Sequence, residues 1–114
     1  MRSDRLRLVD MIESIDEVID TTPPSLDRFR ESEPVKSHVL RHLAIVGQAA
    51  FKLSKELKQS HSKVPWSQIA DLRHALVRDY FRVNWDHVYQ TARDQLPILK
   101  PKIESILASL PEDE

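Results

Sequence analysis

Apolar residues return at helical spacing along most of the chain. In the first segment, Leu8, Ile12, Ile15 and Ile19 follow one another at steps of four, three and four. Asp10, Glu13, Asp16 and Glu17 mostly face away from that stripe, so a helix is predicted over Asp4 to Asp20. Thr21-Thr22-Pro23-Pro24 stops it, and Ser25 is suited to cap a short second helix through Phe29. A third helix should begin near Pro34 and carry Val39, Leu43, Val46, Ala50, Leu53 and Leu57 on one face for about six turns. Gly47 interrupts it. A glycine inside a helix costs about 1 kcal/mol relative to alanine, so a close approach by another element is expected there. Pro65 and Trp66 open a fourth helix, with Ile69, Leu72, Leu76 and Val77 buried and an end near Phe81 to Val83. Asn84 should cap a fifth, Trp85 to Leu110, which carries Val88, Leu96, Leu99, Ile103, Ile106 and Leu110. Pro97 and Pro101 predict a bend or break in it. Residues 111–114 are a polar tail that should fray.

The 114 residues suffice for one core, and a single domain over 1–114 is expected. With 40% hydrophobic and 31% charged residues the chain should fold. One glycine and no alternating β-branched runs argue against a sheet. The expected fold is all-α, an antiparallel bundle of about five helices. The absence of cysteine excludes disulfides, zinc–thiolate sites and thiol nucleophiles. The longest nearly apolar run, Leu43 to Phe51, is too short to span a bilayer. The first residues resemble no signal peptide, so a cytoplasmic protein without membrane contact is expected.

Net charge is −1, but the distribution is uneven. Residues 1–33 carry −4, residues 34–63 carry +5, residues 64–82 carry +1 and residues 83–114 carry −3. A positive block between negative ends fits a phosphate-binding surface or charge pairing across the bundle.

The candidate chemistry lies on the fourth helix. Arg73 and Tyr80 are two turns apart and should share one side, while His74 and Arg78 are four apart on a neighbouring face. Charged groups on a core-facing segment either pair with acids or line a site. For Arg73 the structural alternative is an ion pair with Asp10 or another acid; for Tyr80 it is a core phenol with one hydrogen bond.

Four segments together resemble the HepT-like branch of the HEPN ribonuclease toxins. Pro65-Trp66, Ile69, Leu72-Arg73, Leu76-Val77 and Asp79-Tyr80-Phe81 follow the family's motif helix. Leu40 to Ala49 resembles its Arg-x-Leu-x-Ile-x-Gly-Glu-Ala segment, Asp94-Gln95-Leu96-Pro97 its C-terminal Asp-Leu-Pro helix start, and Asp10 an acidic position of its first helix. The resemblance implies a metal-independent RNA endonuclease without a cofactor, the toxin of a HEPN/MNT toxin–antitoxin pair. It implies a homodimer with the two motifs meeting at the interface, and an MntA-like nucleotidyltransferase partner that transfers AMP from ATP to Tyr80. Arg73 would be the motif arginine, and Arg73, His74 and Arg78 would contact RNA.

The motif departs from the family in three places. Arg78 stands where the family has histidine, His74 where asparagine is common, and Gln48 where glutamate is common. Imidazole titrates near neutrality and can move the protons of RNA cleavage. Guanidinium stays protonated, so Arg78 can hold phosphate or stabilise negative charge but cannot act as a base. The catalytic set Arg73, Arg78 and Tyr80 is therefore expected to be weak or silent, unless His74 serves as the base. The alternative reading is a non-catalytic helical module that binds a nucleotidyltransferase.

Other candidates are less specific. His38 and His42 are four apart, but their own helix offers no carboxylate at ligand spacing, and no metal is expected. Trp66 and Trp85 could stack on bases but suit structural positions. Lys52, Lys55 and Lys58 form either a solvated face or an RNA track.

Overall fold

The computed structural model describes residues 2–74 and 82–111. Serine and asparagine side chains set where helices begin. Ser3 accepts from the Leu6 amide at the start of α1 (Asp4–Thr21), and Ser25 from Arg28 at α2 (Leu26–Glu31). Ser32 accepts from Val35 at α3 (Glu33–Lys52), which has a proline in its first turn, and Ser54 from Leu57 at α4 (Lys55–Ser60). Each such bond satisfies an amide that the helix itself leaves without a partner. α5 (Trp66–Asp71) tightens into a 3₁₀ turn, Leu72–His74. Asn84 caps α6 (Trp85–Gln90), which passes through a π turn, Thr91–Gln95, into α7 (Leu96–Ser109).

The fold is all-α, as the periodicity predicts, and two of the five expected segments are subdivided. The third ends at Lys52, and Leu57 belongs to α4. Ser54 is extended there, with its amide 2.9 Å and its hydroxyl 2.6 Å from the Asp4 carboxylate. Lys58 Nζ closes the end of α3 on the carbonyls of Ala50 and Phe51. Leu53 and Leu57 stay buried across the break, so the apolar spacing hid it. In the fifth segment the irregularity falls at Thr91–Gln95, just ahead of Pro97, while Pro101 lies inside α7. A proline ring clashes with the carbonyl four residues earlier, and a wider turn relieves that clash. The predicted extension of the fourth helix over 75–81, with Leu76 and Val77, lies outside the described residues.

α1 and α3 form the central antiparallel pair. Asp4 meets Ser54, Ser14 meets His42 and Glu17 meets His38, so positions rise on one helix as they fall on the other. α7 packs on α1, where Lys100 reaches Asp16 at 2.6 Å, and α2 is tied to α6 by Arg30 and Asp86. The apolar face of α1 is wider than the sequence stripe. Leu8, Met11, Ile15 and Val18 are fully buried, and Ile12 and Ile19 flank them, because α1 is covered by both α3 and α7. Each of these large side chains contributes about 1.5–3 kcal/mol when removed from water. Among the described residues no helix is long and apolar enough to cross a membrane.

Candidate functional site

Gly47 accounts for the position of Arg73. A Cβ built on Gly47 would overlap the Arg73 amide nitrogen and lie 2.7 Å from the Leu72 carbonyl carbon. The 3₁₀ turn therefore rests directly on the backbone of α3, the close approach that a glycine inside this helix predicts.

Two further contacts hold the arginine side chain. Its guanidinium donates to the Ala70 carbonyl at 2.8 Å and sits 4.1 Å from the centre of the Phe51 ring, a cation–π contact. Asp71 lies 3.9 Å away, long for an ion pair, and is well exposed. The Arg73 side chain keeps 24% exposure, enough for an anion to reach it. His74, the last residue of the turn, is exposed. Arg78 and Tyr80 lie outside the described residues, so only Arg73 and His74 of the sequence-derived set are placed.

The alternative pairing of Arg73 with Asp10 is not formed. Asp10 instead accepts two hydrogen bonds from Arg2, at 2.6 and 2.7 Å. Trp66 is buried and its indole donates to the His61 carbonyl, which makes it a structural residue. Trp85 meets Phe29 edge-on and carries Lys36 4.8 Å above its ring, inside the α2–α6 contact. Of the three lysines considered as an RNA track, Lys58 is engaged at the end of α3, while Lys52 and Lys55 are exposed. Gln48 is exposed beside Gly47.

Sequence reasoning missed two features. Phe51 is 47% exposed and reads as a minor surface apolar group until Arg73 is seen to stack on it. Its position four residues after Gly47 places it on the same side of α3, which was a usable signal. The second is a carboxylate beside the paired histidines. The helix of His38 and His42 has none at ligand spacing, but Glu17 of α1 comes within 3.1 Å of His38 Nε2. His42 Nδ1 lies 3.1 Å from the Ser14 hydroxyl. Partial burial holds the His42 pKa below its ordinary value; His38 and Arg41 add to this and Glu17 opposes it.

Comparison with known proteins agrees with the motif resemblance. The family model described as Ribonuclease HepT-like matches residues 11–106. "Putative RNase TTE0752" of Caldanaerobacter subterraneus is 35% identical over 83 residues, covering 73% of this chain and 74% of that protein. "Putative RNase MJ0125" of Methanocaldococcus jannaschii is 28% identical over 106 residues, 92% of this chain and 91% of the relative. "Probable ribonuclease HepT" of Thermococcus cleftensis is 28% identical over 106 residues, 92% and 96% of the two chains. No solved structure matches. The glycine-seated arginine thus lies within the matched region, and the chain belongs to the ribonuclease HepT-like family.

Proposed function

We propose that this protein is the toxin of a HEPN/MNT pair, a metal-independent RNA endonuclease whose rate is lowered by Arg78. The single observation that carries the reading is the seating of Arg73. Its backbone is pressed against Gly47 and its guanidinium is braced by Ala70 and Phe51 while still open to solvent. A cation held in that way is prepared for a phosphate diester, because little side-chain freedom remains to be lost on binding. The names of the three relatives, two "Putative RNase" and one "Probable ribonuclease HepT", support the same substrate class.

In the reaction, the ribose 2′-oxygen attacks phosphorus and the 5′-oxygen leaves. One proton is lost from the nucleophile and one is gained by the leaving group. Arg73 binds the phosphate oxygens, and Arg78 adds positive charge without moving a proton. His74 lies next to Arg73 in the 3₁₀ turn and contacts RNA from there. A second copy of the chain completes the site; the exposed part of Phe51 is the kind of surface that it would cover. The MntA-like partner regulates the site through Tyr80. The phenol oxygen attacks the α-phosphorus of ATP, pyrophosphate leaves and the phenol loses its proton. The bound AMP then adds bulk and negative charge where RNA phosphate would sit.

The test is RNA cleavage by the unmodified chain, Arg78→His and Arg78→His/Arg73→Ala. Arg78→His should raise the rate by about 10²–10⁴, and removal of Arg73 should abolish the gain. If Arg78→His leaves cleavage undetectable, the nuclease reading fails and the non-catalytic binding module replaces it. Incubation with the antitoxin and ATP should add AMP to the intact chain but not to Tyr80→Phe.

A further inference from the structure

On α3, His38 and His42 lie nine and five residues before Gly47. At 3.6 residues per turn, those positions are rotated by about 180° and 140° from it, so the histidines face away from Arg73. They face α1 instead. The two imidazole rings are 4.4 Å apart, and Glu17 reaches across from α1 to His38. One ligand atom from each of Glu17, His38 and His42 lies within 4.8 Å of the others.

We propose that Glu17, His38 and His42 bind one zinc ion, or a similar divalent transition metal, as a structural clamp between α1 and α3. The donor chemistry is two imidazoles and one carboxylate, a set that zinc accepts while keeping a fourth position for water. Four-coordinate zinc places its ligand atoms about 3.3 Å apart, as its bond lengths of about 2.0–2.1 Å require. Glu17 Oε2 and His38 Nε2 already stand 3.1 Å apart. The remaining separation, 4.8 Å at most, is within the range of side-chain rotation, since two ligands sit on one helix and the third, Glu17, is exposed.

Two surrounding features suit a cation. In the tautomer that donates from Nδ1 to Ser14 Oγ, His42 presents Nε2 with its lone pair. Ser14 is buried, so this outer bond is fixed by the fold. Beside the site, an open groove is lined by Asp10, Glu13 and Asp16 as well as Glu17. Arg2 and Lys100 pair with two of these carboxylates and Arg41 adds positive charge near His42, so the four carboxylates keep a small excess of negative charge at the rim. Such a rim raises the local concentration of cations.

The ion would sit on the face of α3 opposite to the Gly47–Arg73 contact and take no part in RNA cleavage. The inference therefore stands apart from the nuclease reading. Zinc binding to the full, metal-free chain is measured by calorimetry and by competition with a chromophoric chelator. One saturable site per chain is expected, with a rise in melting temperature that EDTA reverses. His38→Ala, His42→Ala and Glu17→Gln should each weaken binding at least about tenfold, and Ser14→Ala by about tenfold. Circular dichroism of the metal-free variants should be unchanged; a variant that loses helix is replaced by His38→Gln or His42→Gln. No saturable binding, or binding untouched by any of the ligand substitutions, overturns the site. Cleavage by Arg78→His in EDTA reports on the nuclease reading alone: it should persist whether or not zinc binds.

Discussion

The two faces of α3 are held to their neighbours by opposite means. Toward α1, contact is made by side chains, the buried apolar groups of the core together with polar pairs across the seam: Ser54 to Asp4, His42 to Ser14, His38 to Glu17. Toward the 3₁₀ turn, contact is made by the lack of a side chain, with the Arg73 backbone lying where a Gly47 Cβ would be. A seam built from many side chains can lose one contact and adjust through the others. A backbone-to-backbone contact has no rotamer with which to adjust, so it is intolerant of even one added carbon. The tolerant side carries the packing, and the intolerant side carries the arginine of the proposed site.

The largest expected effect comes from Gly47→Ala. Alanine gains about 1 kcal/mol in helix propensity, but the new Cβ must push residues 72 and 73 away. The net result should be destabilisation of about 2 kcal/mol, read from a denaturant midpoint. In the Arg78→His background, cleavage should fall by about 10²-fold, because a displacement of about 1 Å at a positioning group has that consequence. A neutral Gly47→Ala would erase the proposed difference between the two faces.

Ser54→Ala tests the other face. It removes a helix cap together with the hydroxyl's bond to Asp4, while the Ser54 amide keeps its own, and about 1 kcal/mol of stability should be lost. Its cleavage rate in the same background should not change. A matching loss of activity would show that the seam also positions the site. The smallest effect is expected for Phe51→Leu, which keeps an apolar group but removes the ring under Arg73. A double-mutant cycle with Arg73→Ala should return a coupling of about 0.5–1 kcal/mol, and a coupling near zero would remove Phe51 from the account.

Where a single helix carried the signal, the sequence was easy to read. The Ser25 and Asn84 caps, the start of α3 near Pro34 and the all-α class follow from local spacing and side-chain chemistry. The break between α3 and α4 was hidden, because Leu53 and Leu57 keep their spacing while Asp4, fifty residues earlier, holds Ser54 in the extended conformation. At the site, Gly47 announced a close approach but did not name its partner. Phe51 and Glu17 acquired meaning only from residues on other elements.

By itself, the chain determined its all-α class, where several helices begin, many of its core-facing positions and its family, since these reside in residue type and spacing. Tertiary structure alone decided that Arg73 rests on Gly47 and that Glu17 comes beside two histidines. The physical reason is reach. Periodicity reports which way a side chain points from its own helix, whereas a site is made of groups brought together from several, and only packing sets those distances.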